Sequence, residues 1–313
     1  MAKKFDLTPD SVSENQANDG KIIEPPVPPV TSSLDSNSVV KEQKEEDDPN
    51  KINVVISDPS PVIILFGARS SGKTMTLIRL TRWLKKQGYK VEPDRNFRPS
   101  NSARYKEMCD TFDKVVNRDY AAHQTNVVSF MLVKVMNKYG EPICQILEAP
   151  GEHYFDKDRL NLNLDFPRYI NAICTIDNPK TWMFIVERNW ENAQDRLNYA
   201  NTIIKMQSQI ESKDRVIFTC HKADLHPALF SAGQPNKEQF FKDIKNQYQG
   251  IFSKYMNQNP ITKLWKKYNF DFVVFSAGLF NDTRDHGQSY TQSNDRYPAE
   301  LWKSIMKTVK GSW

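Results

Sequence analysis

The sequence predicts an α/β domain in three layers, a mostly parallel sheet covered by helices on both faces with one antiparallel hairpin at its edge. Three features point there. Short, wholly apolar runs read as buried strands, amphipathic stretches lie between them, and a turn-bearing pair of strands sits in the first half of the chain. The first run is VIILF (Val62 to Phe66). It leads into a glycine-bearing loop and then an amphipathic helix from Lys73 to about Gln87, with Leu77, Leu80 and Leu84 on one face. A helix is expected over about Ala103 to Val116 and a strand over Val127 to Met136. The turn KYGEP then passes the chain into ICQIL (Ile143 to Leu147), completing the hairpin. Further strands are expected at Trp182 to Val186, Val216 to Cys220 and Phe272 to Phe275. Helices are expected at about Asn192 to Ile210, Glu238 to Tyr255 and Ala299 to Val309.

Composition narrows the function classes. With 39% hydrophobic and 26% charged residues over 313 positions, the chain has the balance of a folded globular protein and is neither fibrous nor wholly disordered. Its apolar runs fall far short of the roughly 20 residues that cross a bilayer, and the opening MAKKFDLTPD lacks the apolar core of a signal peptide. The four cysteines show neither CxxC nor short Cys/His spacing, so no zinc site or disulfide framework is indicated and reduced thiols in a cytoplasmic protein fit best.

Charge divides the chain. Residues 1–50 carry five Lys and Arg against eleven Asp and Glu, a net −6 that leaves +11 on the rest of a chain whose total is +5. That segment also holds PPVPP (Pro25 to Pro29) and the run KEQKEEDD (Lys41 to Asp48). It is expected to be a disordered acidic tail, either a solvated tether or a polyproline ligand for a partner. Residues 51–313 form the ordered domain. A basic body of this kind can meet anionic partners. No RNA-binding aromatic signature or DNA-reading helix pattern accompanies the charge, which argues against nucleic acid, and membrane contact would be peripheral at most.

The strand VIILF ends in Gly67, Ala68, Arg69, Ser70, Ser71, Gly72, Lys73 and Thr74, which matches GxxxxGK[ST] and opens the predicted helix. The two glycines let successive N–H groups turn inward on phosphate oxygens, and the helix N-terminus adds partial positive charge. Lys73 is placed to reach the β- and γ-phosphates, and the Thr74 hydroxyl to ligate Mg²⁺.

Three further segments join this loop. Glu148-Ala-Pro-Gly151 follows the strand ICQIL, His221-Lys222-Ala223-Asp224 follows VIFTC, and Ser276-Ala277-Gly278 follows FVVF. They resemble the DxxG, [NT]KxD and SA[KL] elements of P-loop GTPases of the Ras-like and translation-factor-like class, in the right order. The resemblance spans Gly67 to Gly278 and implies a P-loop NTPase fold, GTP or GDP as bound nucleotide, and Mg²⁺. By the same resemblance, Asp224 would accept hydrogen bonds from the guanine N1–H and amine, Lys222 would lie along the base, and the Ala277 N–H would meet O6. Gly151 would meet the γ-phosphate through its N–H. Thr125, 23 residues before Glu148, would close over Mg²⁺ with Thr74 and Glu148.

Four departures bear on activity. Glu148 is one methylene longer than the aspartate of DxxG, which makes the Mg²⁺ geometry its own. Glu152 stands where Ras-like members carry the water-orienting Gln, and a carboxylate beside the γ-phosphate predicts slow hydrolysis. His153 follows it and has two readings, a water-positioning group or an ordinary packed residue. Arg69 either supplies charge to the phosphates in cis or pairs with a neighbouring carboxylate outside the site. His221 replaces the usual Asn or Thr and loses a tie between the base loop and the phosphate loop. Insertions near 88–124 and 225–269 are candidate effector surfaces or additional packing. The expectation is a GTPase that hydrolyses slowly and switches toward a protein effector or activator. Two rivals stand beside it, a nucleotide-binding scaffold that does not hydrolyse and an ATP-using P-loop ATPase or kinase.

Overall fold

A computed structural model of the chain describes residues 49–98, 103–117, 130–155, 166–190, 192–260, 263, 267–282 and 288–311. All but the last two positions of the expected acidic tail fall outside these residues, and so does Thr125.

The chain runs β1 (Val62–Phe66), α1 (Lys73–Lys86), β2 (Lys90–Pro93), α2 (Ala103–Asn117), β3 (Met131–Met136), β4 (Pro142–Glu148) and a 3₁₀ turn (Gly151–His153). It continues through α3 (Arg168–Thr175), β5 (Lys180–Glu187), α4 (Ala193–Gln207), β6 (Arg215–His221), the short pair β7 (Phe230–Ser231) and β8 (Gln234–Pro235), and α5 (Lys237–Gln247). The last elements are β9 (Asp271–Val274), the hairpin β10 (Gly278–Asp282) and β11 (Gln288–Gln292), and α6 (Arg296–Val309). Seven strands form one sheet in the order β2-β3-β4-β1-β5-β6-β9. Only β3 runs against its neighbours; β4-β1-β5-β6-β9 are parallel throughout. This is the P-loop NTPase fold, with the predicted β3–β4 hairpin toward one edge and β2 added outside it.

The apolar runs become strands because both faces of the sheet are covered. Phe66, Phe184, Phe218 and Phe272 occupy one register across β1, β5, β6 and β9, so their rings line up on a single face. Phe66 and Phe184 lie 5.2 Å apart, and Phe184 and Phe218 5.3 Å. Tyr199 of α4 and Phe241 of α5 close over this row. Thr181, three residues before Phe184, points to the other face and donates to Thr308 of α6 at 2.9 Å. Helix α6 in turn contacts α1, which contacts α2. No described helix is long and apolar enough to cross a membrane, and all four cysteines are free thiols in the interior.

Boundaries move where single backbone positions decide them. The strand expected over Val127 to Met136 begins only at Met131, because Phe130 has a φ of 69° and takes its N–H out of the ladder; residues 127–129 lie outside the described residues. The helix expected over Glu238 to Tyr255 stops at Gln247. Gly250 takes a φ of 87°, and the chain resumes only as a 3₁₀ turn at Ser253–Tyr255. Part of the 88–124 insertion is built into the sheet and its cover as β2 and α2, with the Tyr105 hydroxyl donating to the Asp94 carbonyl at 2.7 Å.

The aromatic row sets the main packing. Phe218, fully buried and touching Phe184, Phe252 and Phe270, should cost about 3–5 kcal/mol when cut to Ala. Urea unfolding at neutral pH measures this, and a loss under about 1 kcal/mol would show that the row is not the core's anchor.

Candidate functional site

Strand β1 is buried at all five positions and delivers the chain to the carboxyl edge of the sheet. There the loop turns through Ser70 (φ 61°) and Gly72 (φ 89°) before α1 begins at Lys73. The first turn of α1 carries no acidic side chain, so its exposed N–H groups keep their partial positive charge. Lys73 is buried and folds over the loop. Its Nζ donates to the carbonyls of Gly67 and Ala68, each at 3.0 Å. Burial pulls the Lys73 pKa down, opposed by the carboxylates of Glu148, Glu152 and Glu187. The buried Ser71 hydroxyl has no hydrogen-bond partner among the described residues.

Glu148 ends β4 level with Leu65 of β1 and is 1% exposed. One carboxylate oxygen accepts from the Thr74 hydroxyl at 3.0 Å, and the other from the Phe130 N–H at 2.9 Å. Burial pushes its pKa up, against the pull of Lys73 and the two hydrogen bonds. The extra methylene relative to aspartate therefore has a use: one side chain spans from the first turn of α1 to the start of β3. For Mg²⁺, the ion implied by the sequence, the Thr74 hydroxyl and a Glu148 oxygen are hard donors held together. One or two such protein ligands suffice where phosphate oxygens and water complete the octahedron. The residues fit that ion.

Gly151 follows on the 3₁₀ turn. A Cβ there would collide with the backbone of Ala68 and Arg69, so this loop lies directly on the phosphate loop. Glu152 is exposed, while His153 turns inward against Phe130 and Tyr169. Its Nδ1 shares a 2.8 Å hydrogen bond with the Tyr169 hydroxyl, and burial lowers its pKa to about 4. His153 is thus neutral at pH 7 with one ring nitrogen engaged. Arg69 is exposed and makes no ion pair among the described residues.

Strands β6 and β9 bring the other two loops alongside. The Phe275 N–H donates to the Cys220 carbonyl at 2.8 Å and the Ala223 N–H to the Phe275 carbonyl at 3.2 Å. The Ser276 hydroxyl donates to Asp224 Oδ1, which fixes the rotamer of that carboxylate. Lys222, with a φ of 57°, extends to Glu187 at the end of β5 and pairs with it at 2.7 Å. His221 is 4% exposed, and its ring lies so close to Gly72 that a Cβ there would strike it. Neither ring nitrogen has a hydrogen-bond partner among the described residues, and burial lowers the pKa to about 3.

All the sequence-chosen residues that are described therefore meet at one edge of the sheet. The sequence reading did not find Glu187, nor the cleft of about 850 Å³ beside the phosphate loop. Arg69, Glu152, Arg188, Trp190 and Lys222 are among its lining residues. Arg188 donates from Nε to Asp243 at 2.6 Å and leans on His226. The available signal was positional: Glu187 and Arg188 close a buried parallel strand, where α/β sheets place their sites.

His221 gives a pH prediction. Its folded pKa lies below the ordinary 6.5, so the unfolded chain takes up the proton first and stability falls as pH drops from about 6.5 toward 3. Between pH 7 and 5 this group should cost about 2 kcal/mol. Urea unfolding at the two pH values should show a smaller loss in His221→Asn than in the parent; equal losses would mean that the ring charges without penalty.

No protein-family model matches the chain, and no curated protein matches it. Among solved structures it is similar to the Ski7 GTPase-like domain of S. cerevisiae bound to GTP, at 14% identity over 90% of this chain and 54% of that one, with a TM-score of 0.40. It is also similar to a structure of the chloroplast translocon components atToc33 and psToc159, at 10% identity over 88% of each chain, with a TM-score of 0.40. At these values the fold stands on the chain's own topology and on the placement of its motifs.

Proposed function

We propose that the chain binds GTP with Mg²⁺, hydrolyses it slowly to GDP, and acts as a switch toward a protein partner. The observation that carries this is convergence. The loops Gly67–Thr74, Glu148–Gly151, His221–Asp224 and Ser276–Ala277 all leave the carboxyl ends of strands in the parallel run β4-β1-β5-β6-β9, where such sheets bind nucleotides.

In this reading the phosphates sit over the loop N–H groups, and Lys73 exchanges the carbonyls of Gly67 and Ala68 for phosphate oxygens. Thr74 and Glu148 would hold Mg²⁺, which neutralises charge on the β- and γ-phosphates. Asp224, steadied by Ser276, accepts from the guanine N1–H and amine. Adenine offers no matching pair of donors, so the pairing selects the base. Lys222, drawn out by Glu187, lies along the base edge. Gly151 senses the γ-phosphate through its N–H, and its contact with Ala68 and Arg69 must open to admit that group. Moving this loop changes the exposed surface around Glu152 and Arg69, which is what a partner would read.

Slow turnover follows from what stands at the water's position. Glu152 adds negative charge beside the γ-phosphate, and His153 is held in its aromatic seat by Tyr169. The same two observations favour, as a second reading, a scaffold that binds GTP without hydrolysing it.

Competition of GTP and ATP against fluorescent GDP, with Mg²⁺, tests the base assignment. GTP should compete far better, and Asp224→Ala should weaken GTP on the order of 100-fold while leaving ATP unchanged; preference for ATP in the parent would end the GTP reading. Following GDP formation over hours separates switch from scaffold. Glu152→Gln should raise turnover by about tenfold, and no GDP from either protein would leave the scaffold.

A further inference from the structure

The guanine-reading loops need a support that His221 does not provide. Its two ring nitrogens bond to nothing among the described residues, so the ring wedges against Gly72 without a hydrogen bond tying the base loop to the phosphate loop. A different connection joins the same two regions. It starts at Arg79, six residues after Lys73 on α1 and fully buried.

The Arg79 guanidinium donates from Nη2 to Asp295 Oδ1 at 2.6 Å and to the Ser293 carbonyl at 2.8 Å, and from Nε to Ser293 Oγ at 3.3 Å. Ser293 Oγ donates onward to the Ser276 carbonyl at 2.6 Å, and the Ser293 N–H to the Ala277 carbonyl at 3.2 Å. The Tyr290 hydroxyl donates to that same Ala277 carbonyl at 2.6 Å. Ser276 passes the chain to Asp224 through its own hydroxyl. The strand β11 that carries Tyr290 is brought close by Gly278, where φ is 138° and a Cβ would collide with the Thr291 carbonyl. A buried guanidinium is a costly way to fill space, since a well-packed apolar side chain commonly serves the fold as well or better. Its value here lies in direction, because a planar fork fixes the position of what it binds.

We propose that Arg79, Ser293 and Tyr290 form a positioning relay that holds Asp224 and Ala277 from α1, in place of the tie His221 does not make, and thereby sets the preference for guanine over adenine nucleotides. The relay rests on the GTP reading above and deepens it. None of its three members touches the nucleotide in that reading; they act through Ser276 and Ala277.

The test compares GDP, ADP and inorganic tripolyphosphate as competitors of fluorescent GDP on the full chain, with Ser293→Ala, Ser293→Thr, Arg79→Lys and Asp224→Ala beside the parent. Tripolyphosphate reports the phosphate loop alone. Ser293→Ala and Arg79→Lys should weaken GDP by about 3–10-fold, the cost of one misplaced hydrogen bond. ADP and tripolyphosphate should stay within about twofold, and Ser293→Thr should restore GDP binding. If GDP, ADP and tripolyphosphate all weaken in parallel, the residues serve only the fold and the relay is overturned. If both variants keep the parent's GDP-to-ADP ratio while Asp224→Ala loses it, the relay is overturned and the GTP reading stands. A parent with no GDP preference overturns both. Should Arg79→Lys fail to fold, Ser293→Ala decides, since it deletes one hydroxyl.

Discussion

Two neighbouring loops press closely on the loop after β1, and most of the site's geometry follows from that. On one side the Gly151 backbone lies against Ala68 and Arg69; on the other the His221 ring lies against Gly72. Both contacts are closer than a β-carbon allows, so each requires glycine for clearance, and Gly72 also for its φ of 89°. The loops after β4 and β6 therefore pack directly on the loop after β1. The parallel run β4-β1-β5-β6 makes this possible, because it brings the carboxyl ends of its strands to the same edge of the sheet. The Phe66, Phe184 and Phe218 row beneath it resists sliding of one strand against the next.

Electrostatics adds a second constraint at the same place. Lys73 and Glu148 are both buried, and burial opposes the charged form of each: the lysine pKa is pulled down and the carboxyl pKa pushed up. Each partly offsets the other's cost. Neither is left without hydrogen bonds, since Lys73 has two loop carbonyls while Glu148 has the Thr74 hydroxyl and the Phe130 N–H. A phosphate chain with its cation would take over these partners one for one, anion on Lys73 and cation on Glu148.

Much of this was legible in the chain because its signals are local. The runs VIILF, ICQIL and VIFTC each announce a buried strand, and the chemistry-bearing residues follow immediately after them. What escaped was non-local or too short for a pattern. Strand β2 has four residues, too few for its alternating burial to stand out in the sequence. Strands β10 and β11 face each other through Gly278, whose role is visible only when Thr291 lies across it. Glu187 reads as the polar end of a strand until Lys222 reaches it from the neighbouring one. The bond from Arg79 to Ser293 could not be read, because the two residues are 214 positions apart.

The two ends of the site then share one support. Helix α1 begins with Lys73 and Thr74 at the loop after β1, and six residues after Lys73 presents Arg79 to Ser293, which bonds the loop after β9. A helix of 14 residues is stiff along its axis, so a displacement at its first turn is carried to Arg79 and from there through Ser293 to Ser276. Glu148 joins the same first turn to Phe130, where β3 and the segment before it begin. Helix α1 therefore joins the loop after β1, the start of β3 through Glu148, and the loop after β9 through Ser293. A change at Thr74 has two routes outward, one through Glu148 and one along the helix, and a variant that cuts one leaves the other intact.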